Sequence, residues 1–335
     1  MRILVTGAAG FIGFHLSKQL MEHGYSVVGL DNLNAYYDVS LKQDRLANLQ
    51  DFPAFRFEQV DLMDSEALMA LFETEQFTHG VNLAAQAGVP YSLENPRAYV
   101  DSNILGFLNV LEACRHFPVK HLIYASSSSV YGLNTQMPFN TDQSVGHPIS
   151  IYAATKRSNE LMAHSYSTLF DIPTTGLRFF TVYGPWGRPD MAIFRFVKSV
   201  MENRPIDVYN RGVSQRSYTY VDDVVEGIVR LLDHIPQPDP DWSSETPTAQ
   251  SSSSPYRLYN IGNDQTVALE YLISVIEKAL GRKAIRNYLP LRKGDVPSTY
   301  AGIEDLEQAV GYRPSTSIES GVEQFVRWYR AYYGV

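Results

Sequence analysis

Three glycines around residue 10 restrict the fold more than any other feature of the sequence. Residues 5–13 read VTGAAGFIG, which places Gly7, Gly10 and Gly13 after a short apolar run and at the start of a helical pattern. Because they lack side chains, the backbone turns tightly and approaches a diphosphate closely, at the positive end of the helix dipole. The spacing predicts a dinucleotide site, although a glycine pattern alone is also typical of an ordinary turn.

The first half of the chain alternates β-rich runs with helical patterns. Strands are predicted over residues 3–6, 25–30, 55–59, 79–83 and 121–125. Helices are predicted over residues 11–23, 103–116 and 151 to about 170; in the first, Ile12, Leu16 and Leu20 recur every four residues. This alternation predicts an α/β fold on a doubly wound parallel sheet of the Rossmann type, with the ligand at the carboxyl ends of the strands.

Acidic residues follow the second and third predicted strands. A carboxylate at Asp31, at the tip of the second strand, accepts hydrogen bonds from adenosine ribose hydroxyls and repels a 2′-phosphate. The predicted cofactor is therefore NAD rather than NADP. Asp61 and Leu62 follow the third strand and are candidate adenine contacts; the alternative for Asp61 is a helix cap before Glu66.

The regular alternation weakens after about residue 176, where short elements lie between proline, glycine and aromatic residues. We expect residues 1–176 to form an NAD-binding Rossmann domain, with segments at about 217–232 and 257–263 returning to it. Residues 177–335 are expected to form mainly a smaller, mixed α/β C-terminal domain that binds the substrate and closes over the site. Residues 236–255 are rich in proline and serine, which predicts a flexible surface loop.

Composition argues against several classes of function. The formal charge of -8 is unfavourable for a general binder of nucleic acid. The single cysteine, Cys114, excludes an internal disulfide framework and a cysteine-rich metal site, and is typical of a reducing compartment. The sequence has neither an apolar run of membrane-spanning length nor a signal-peptide pattern. We therefore expect a cytoplasmic protein with no metal site and no membrane or nucleic-acid partner.

Tyr152 and Lys156 stand four residues apart in YAATK and share one face of a predicted helix. A nearby ammonium lowers the pKa of a phenol, and the nicotinamide of bound NAD adds a second positive charge. Tyr152 is therefore a candidate general base near neutral pH. This spacing alone is also typical of an ordinary exposed helix face.

The glycine turn, Asp31, the serine run at 126–129 and the YAATK pair follow one another in that order. In this combination the chain resembles the extended short-chain dehydrogenase/reductase family of nucleotide-sugar epimerases and dehydratases, over essentially its whole length. The resemblance implies that the catalytic hydroxyl lies three residues before VYG, which selects Ser127 in ASSSSVYG. It also implies a homodimer formed through the helices predicted at 103–116 and 151–170.

The resemblance further implies a set of NAD contacts along the first half of the chain. They are Gly7, Gly10, Phe11, Ile12, Gly13, Asp31, Asn32, Asp61, Leu62, Leu83, Ala84, Ala85, Gln86, Tyr152 and Lys156.

Later motifs are more specific. LRFFTVYGPWGRPDMA at 177–192, RSYTYVDDVVEGI at 216–228, YNIGN at 259–263 and RKGDVPSTYA at 292–301 resemble the UDP-glucuronate 4-epimerase branch of this family. The implied UDP-sugar contacts are Ser127, Ser128, Thr181, Arg188, Arg216, Arg292 and Asp295. Guanidinium groups bind phosphates and carboxylates through paired hydrogen bonds.

Two of these arginines keep a simpler alternative. Arg292 lies beside Lys293, which is also typical of a basic, solvated loop. Arg188 lies two residues before Asp190, so the two side chains are able to form an ordinary surface ion pair.

The residues next to the catalytic ones discriminate between related reactions. UDP-hexose 4-epimerases usually carry Asn where this chain has Thr181, and the resemblance implies that Thr181 and Arg188 hold a sugar carboxylate. Dehydratases carry an Asp-Glu pair after the catalytic hydroxyl, and decarboxylases tend to have Glu just before VYG; here Ser128 and Ser129 stand at those positions. The predicted reaction is C4 epimerisation of UDP-glucuronate to UDP-galacturonate through a 4-keto intermediate, with NAD as transient hydride acceptor. The alternatives are a UDP-glucose 4-epimerase, a UDP-glucuronate decarboxylase and an inactive NAD-binding sensor.

Overall fold

The computed structural model describes residues 1–292, 294–311 and 313–335, and Lys293 lies outside the described residues. Strands and helices alternate along the first half of the chain: β1 (Arg2–Thr6), α1 (Phe11–Glu22), β2 (Ser26–Leu30), α2 (Val39–Gln50), β3 (Phe55–Glu58), α3 (Ser65–Glu75), β4 (His79–Asn82), α4 (Val89–Glu94), α5 (Pro96–Tyr99), α6 (Gly106–His116), β5 (His121–Ser127), α7 (Ile151–Phe170) and β6 (Thr174–Phe179). A π-helical segment, Val100–Leu105, joins α5 to α6, and a 3₁₀ turn, Ser128–Tyr131, follows β5. The predicted strands agree with the observed ones to within two residues at each end.

The elements of the second half are shorter. They are β7 (Thr181–Tyr183), α8 (Ala192–Met201), β8 (Ile206–Val208), β9 (Gln215–Arg216), β10 (Tyr218–Tyr220), α9 (Val221–Leu231), β11 (Tyr256–Ile261), β12 (Val267–Ala268), α10 (Leu269–Leu280), β13 (Arg286–Tyr288), α11 (Glu304–Val310) and α12 (Ile318–Tyr333). Six of the strands form two-stranded sheets, pairing β7 with β10, β9 with β12, and β8 with β13.

Seven strands form the main sheet in the order β11-β6-β5-β4-β1-β2-β3, and all neighbours in it are parallel. The chain order reverses between β1 and β4, and ligands of open α/β sheets bind at such a reversal, beyond the carboxyl ends of the strands. The glycine turn after β1, the loop after β4 and Ser127 at the end of β5 all lie at that edge. The predicted doubly wound parallel sheet is confirmed.

Alternation along each strand separates the apolar residues onto the two faces of the sheet. In β1, Ile3 and Val5 pack on one face and Leu4 packs on the other, because successive side chains of a strand point in opposite directions. The first face is covered by α1 and α9, and the second by α3, α6 and α7. A third apolar cluster joins α8, α10 and α12 outside the sheet. The domain division at about residue 176 stays a prediction.

Residues 236–255 contain no helix or named strand. Near the end of this loop, Ser252 and Ser254 are buried. The Ser252 hydroxyl lies 2.9 Å from Nε2 of His164, and the Ser254 hydroxyl lies 2.9 Å from that of Thr168, so the loop ends against α7. Its flexibility stays a prediction. Among the described residues, none of the helices has the length and apolar character needed to span a membrane.

Candidate active site

The glycine turn joins β1 to α1 with almost no free space inside it. Gly7 has a φ of +73°, and its carbonyl accepts a hydrogen bond from the Gly10 N–H at 2.9 Å. A Cβ atom on Gly13 would lie 2.1 Å from the Gly7 carbonyl oxygen, so no side chain fits there. Phe11 and Ile12 form the first turn of α1, and Gly10 has no side chain to cap it, so the first N–H groups of α1 are free to bind an anion.

Asp31 lies buried directly after β2. Its Oδ1 accepts a hydrogen bond from the Leu33 N–H at 2.8 Å and lies 3.5 Å from the Lys42 ammonium on α2. Both contacts use Oδ1, which leaves Oδ2 for the hydroxyls of an adenosine ribose. Together with the glycine turn, this arrangement fits NAD. Lys42 is itself buried, and sequence reasoning missed it because only the fold brings it beside Asp31.

The tips of β2 and β3 are joined by side chains. The Asn32 amide donates to Oδ2 of Asp61 at 2.8 Å, and the Met63 N–H donates to Oδ1 of the same carboxylate at 2.9 Å. The cap of α3 is Asp64, whose side chain accepts from the Ala67 N–H. The alternative of Asp61 as the helix cap is therefore wrong.

Leu62, the next predicted adenine contact, is buried. It lies against Gly106 at the start of α6, where an added Cβ would come within 2.9 Å of the Leu62 Cβ.

The loop after β4 is fixed at both ends. The Leu83 N–H donates to the Thr6 carbonyl at 3.3 Å, and the Ala84 N–H donates to the Thr6 hydroxyl at 3.1 Å. Further on, the Gln86 N–H donates to Asn103 Oδ1 at 2.8 Å, and the Asn103 amide donates back to the Gln86 carbonyl at 3.0 Å. Ala85 lies half-buried between these two anchors.

The buried residue Asn103 also joins this loop to α7. Its amide donates to the Thr155 hydroxyl at 3.0 Å, and its carbonyl accepts from the Asn159 amide at 2.6 Å. Sequence reasoning missed Asn103 because a single asparagine within a helical pattern gives no local signal. The one feature of the sequence that could have indicated a role for Asn103 is its uncharged polar side chain at a helix position where the pattern predicts burial.

Ser127, Tyr152 and Lys156 meet where β5 ends and α7 begins. The Ser127 side chain lies close enough to the Tyr152 phenol to act on its pKa. Its hydroxyl also lies 3.2 Å from that of Ser129, while Ser128, half-buried, begins the 3₁₀ turn that follows. The Lys156 ammonium donates to the Ala125 carbonyl at 3.0 Å, which fixes the helix to the end of the strand.

The electrostatics of these groups sharpen the predicted chemistry. Burial raises the pKa of Tyr152, and the nearby Ser127 side chain and Arg188 guanidinium oppose this only in part, so the pKa stays above its ordinary value. Burial lowers the pKa of Lys156 to about 8. The protein groups alone therefore leave the phenol protonated at neutral pH, and a nicotinamide bound nearby would supply a positive charge that favours its deprotonation.

A buried ionic network lies one turn beyond Lys156 on α7. Glu160 accepts hydrogen bonds from Arg178 on β6 at 2.9 and 3.1 Å, from Arg157 at 2.8 Å, and from the Ser126 hydroxyl at 2.6 Å. The side chains of Glu160 and Arg178 are fully buried. Burial would raise the pKa of Glu160, but the charge and hydrogen bonds of Arg178 and the Ser126 hydrogen bond lower it below its ordinary value. Through Ser126, this network fixes the strand end next to Ser127.

Thr181 and Arg188 line one small cavity of roughly 20 Å³, whose wall also includes Phe11 from the glycine turn. Arg188 Nε donates to Asp190 Oδ1 at 3.0 Å, and Nη2 donates to Oδ2 at 2.6 Å. The alternative pairing of Arg188 with Asp190 is therefore present. Arg188 itself nevertheless lines the cavity, and its charge acts on the Tyr152 phenol, so the pair is more than an outer surface contact.

The segment that carries Arg188 is held from both sides. Trp186, at a φ of +60°, packs against Phe14 of α1 with ring centroids 5.5 Å apart, and against Trp328 and Tyr332 of α12 at 5.4 and 5.0 Å. The Trp186 carbonyl accepts a hydrogen bond at 2.6 Å from Arg45, which is fully buried. Arg45 donates as well to the Ala9 carbonyl at 2.8 Å, and thereby connects the glycine turn to this segment.

The predicted nucleotide contacts form two groups. Arg216 Nη2 donates to Asp295 Oδ1 at 2.8 Å, and its Nη1 donates to the Pro297 carbonyl at 2.9 Å. The Arg292 guanidinium lies 3.7 Å from the centre of the Tyr209 ring and donates to the Tyr209 hydroxyl. The half-buried Arg292 therefore has a defined partner, which the sequence did not predict because the two residues are distant along the chain.

Comparison with known proteins places this site in a family. A family model described as the NAD dependent epimerase/dehydratase family matches residues 3–243. The chain belongs to this family. The family is NAD dependent, which confirms NAD as the cofactor predicted from Asp31.

Other members of the family are similar over their whole length. Protein CapI of Staphylococcus aureus is 54% identical over 333 residues, covering 99% of each chain. A probable UDP-glucuronate 4-epimerase of Rhizobium meliloti strain 1021 is 49% identical, covering 98% of this chain and 97% of that protein. The crystal structure of UDP-glucuronic acid 4-epimerase from Bacillus cereus, in complex with UDP-glucuronic acid and NAD, matches with a TM-score of 0.89 and 33% identity, covering 99% of this chain and 100% of that one.

Proposed function

We propose that the protein is an isomerase that interconverts UDP-glucuronate and UDP-galacturonate by epimerisation at C4. The observation that carries this proposal is that Ser127 at the end of β5 and the Arg188 guanidinium both lie close enough to the Tyr152 phenol at the start of α7 to lower its pKa. It places a hydroxyl pair suited to alcohol oxidation beside a cation suited to a carboxylate. The names of the Rhizobium and Bacillus relatives support the same reaction.

In this mechanism Tyr152 removes the proton of the sugar 4-hydroxyl, and Ser127 holds the 4-oxygen by a hydrogen bond. Bound NAD supplies a reversible hydride acceptor, held by the glycine turn and Asp31. Lys156, four residues further along the same helix, is proposed to favour the phenolate by its positive charge. The same Tyr152 returns the proton after the 4-keto sugar has turned over, so no net oxidation results.

Turnover requires the sugar to present both faces while the nucleotide stays bound. Arg216, Arg292 and Asp295 are proposed to hold the UDP portion, which leaves the sugar free to rotate about its link to the diphosphate. Binding energy concentrated in the part of the substrate that does not react supports such a cycle.

The sugar carboxylate creates a hazard, because the 4-keto intermediate is a β-keto acid that loses carbon dioxide readily. Decarboxylation requires the bond between C5 and C6 to align with the ketone π system. Thr181 and Arg188 are proposed to hold the carboxylate out of that alignment. Ser128, near the 4-oxygen, is proposed as a further substrate contact. Neither Ser128 nor Ser129 has the carboxyl group that elimination requires for acid and base catalysis.

A substrate panel tests the proposal. The purified protein is incubated separately with UDP-glucuronate, UDP-galacturonate and UDP-glucose in deuterated water, and the products are identified by NMR. We expect interconversion of the two uronates, no deuterium at C4 because the hydride returns internally, and little turnover of UDP-glucose. A pentose product would indicate a decarboxylase, efficient conversion of UDP-glucose would indicate a hexose epimerase, and absence of any turnover would indicate a sensor.

We also propose a homodimer formed by the helical face around α4 to α7. Large apolar side chains are exposed there, namely Leu93, Val100, Leu105, Leu161, Leu169 and Phe170. Sedimentation of the protein should give twice the chain mass of 37.8 kDa. Replacing Leu161 with Glu should produce monomers, since a charge in an apolar interface is unfavourable; a monomeric wild type would contradict the proposal.

A further inference from the structure

Asp190 holds one edge of the Arg188 guanidinium. The carboxylate accepts from Nε at 3.0 Å and from Nη2 at 2.6 Å, which is a two-bond contact between planar groups. The side chains are 21% and 30% exposed, so solvent screens this pair only in part. The contact leaves Nη1 on the opposite edge of the guanidinium for another acceptor.

The carboxylate of Asp190 is itself fixed from the cofactor side. The Tyr36 hydroxyl donates to Asp190 Oδ2 at 3.3 Å, and the Tyr36 ring packs on Tyr91 with centroids 4.9 Å apart. Tyr36 lies five residues after Asp31, in the segment that connects β2 to α2. One hydrogen bond therefore joins the segment next to the ribose-binding carboxylate to the residue that holds Arg188.

Gly88, in the loop after β4, completes the support of this pair. An added Cβ on Gly88 would lie 2.7 Å from the Tyr36 hydroxyl, 3.6 Å from Asp190 Oδ2 and 3.8 Å from Arg188 Nη2. The Tyr36 hydroxyl thus lies too close to Gly88 for any side chain there, while Asp190 and Arg188 lie within ordinary van der Waals distance of the same position. Arg188 also lowers the pKa of the Tyr152 phenol, so its charge acts on the reaction centre.

We propose that Asp190 is a positioning residue that sets the specificity of the enzyme for a carboxylated sugar, and that Tyr36 fixes Asp190 in that role. The proposal rests on the proposed function, in which Arg188 binds the sugar carboxylate. A long, flexible arginine binds a second carboxylate well only if its orientation is already restricted, because ordering it on binding costs entropy. Asp190 restricts it through one edge and leaves the other edge for the substrate.

The test compares the holoenzyme with an Asp190→Asn variant, which keeps the size of the side chain and removes its charge. We expect KM for UDP-glucuronate to rise about tenfold, because a hydrogen bond between charged groups is weakened. The kcat value should change less than KM, the affinity for UDP-glucose should stay constant, and the fraction of decarboxylated product should increase. Asp190→Glu should recover part of the lost affinity, since it restores the charge.

Glu202→Gln is the matched control. Glu202 accepts two hydrogen bonds from Nε and Nη2 of Arg204, two residues away, but this pair is exposed and lies beyond α8. Its loss should leave KM, kcat and product ratio unchanged.

Tyr36→Phe keeps the ion pair and removes only the hydroxyl that fixes it. It should raise KM for UDP-glucuronate about threefold, consistent with loss of one weak hydrogen bond. Tyr91→Phe removes the hydroxyl of the neighbouring ring and leaves Asp190 untouched, so it should have no such effect. If Asp190→Asn fails to fold, Tyr36→Phe still tests the proposal.

The outcomes separate failure of the inference from failure of the proposed function. If wild type does not epimerise UDP-glucuronate, both are overturned. If wild type is active and Arg188→Ala loses affinity for UDP-glucuronate while Asp190→Asn and Tyr36→Phe do not, only the inference is overturned. A lower KM in Asp190→Asn would overturn it as well, because Asp190 would then compete with the substrate carboxylate.

Discussion

The proposed catalytic centre and the proposed recognition segments of this protein are held in different ways. The centre lies between β5 and α7, where Glu160 and Arg178 form an ion pair without solvent exposure. The recognition segments rely on pairs that solvent reaches: Asp190 is 30% exposed beside Arg188, and Asp295 is 43% exposed beside Arg216. Breaking a buried ion pair is strongly destabilising, whereas a partly exposed pair contributes less to stability and leaves polar groups within reach of a ligand. The protein therefore combines a centre held by a buried ion pair with recognition arginines that a substrate is able to reach.

The largest expected effect comes from the centre. Tyr152→Phe should lower kcat by about a thousandfold, because it removes the general base. Binding of UDP-glucuronate, measured by calorimetry, should be retained. Tyr166→Phe is the matched control on the same helix, since its hydroxyl bonds to Glu112 and lies about 21 Å further along α7. Comparable activity of the two variants would contradict the assignment of Tyr152.

The rigidity of the centre is tested by Glu160→Gln. We expect the free energy of unfolding to fall by about 3 kcal/mol, since Arg178 loses its buried counter-ion. The Glu160 pKa is lowered from 4.5, so the ion pair stabilises wild type above that pH and is lost as the pH falls through the lowered value. The difference between the two proteins in chemical denaturation should therefore shrink on acidification. Glu323→Gln, in an exposed pair with Arg327, should cause no measurable change.

The serine run allows a comparison within the centre itself. Ser127→Ala should lower kcat about a hundredfold, as expected for loss of a donor to the reacting oxygen. Ser129→Ala, two residues further along, should have only a small effect, because its hydroxyl contacts Ser127 and is not assigned to the substrate. Equal losses in steady-state assays would show that the selection of Ser127 is wrong.

The smallest of these effects is expected in the recognition segments. Arg188→Ala should raise KM for UDP-glucuronate about thirtyfold by loss of charged hydrogen bonds and increase the decarboxylated fraction seen by NMR. Because the Arg188 charge lowers the pKa of Tyr152, its removal raises that pKa and should move the acidic limb of the pH–rate profile to higher pH. Arg195→Ala on α8, whose side chain is 43% exposed, is the control. Full affinity with only epimer formed would contradict the role of Arg188.

The same contrast explains how much the sequence predicts. The strands, α1 and α7 follow from their apolar patterns, since the strands are buried between helices on both faces of the sheet and each helix buries one apolar face. The glycine turn and the residues at strand tips follow from their position along these elements. The helix predicted over 103–116 is only partly correct, because its first turn belongs to the π-helical segment Val100–Leu105.

The sequence pattern did not predict contacts between distant segments of the chain. Tyr36 and Asp190 are separated by 154 residues, and nothing local indicates that they meet. Lys42 and Arg45 resemble ordinary charged residues of an amphipathic helix, yet the fold buries both beside the cofactor site. Such contacts depend on tertiary packing, which neither propensity nor spacing records. The lowered pKa predicted for Tyr152 came from the positive charges of Lys156 and bound NAD and did not include burial, which raises that pKa.

The packing of Trp186 has a practical consequence for spectroscopy. Of the three tryptophans in the chain, Trp186 and Trp328 pack against each other beside Arg188, and Trp242 lies in the loop at 236–255. Because two of the three indoles lie together, the tryptophan fluorescence of the unlabelled protein reports mainly on the segment that carries Arg188. Indole emission depends on its surroundings, so a change in this segment changes the signal. With Trp242→Phe, the signal would come from the Trp186–Trp328 pair alone. Rapid mixing with UDP-glucuronate would then follow this segment in real time, separately from the hydride step that NAD absorbance records.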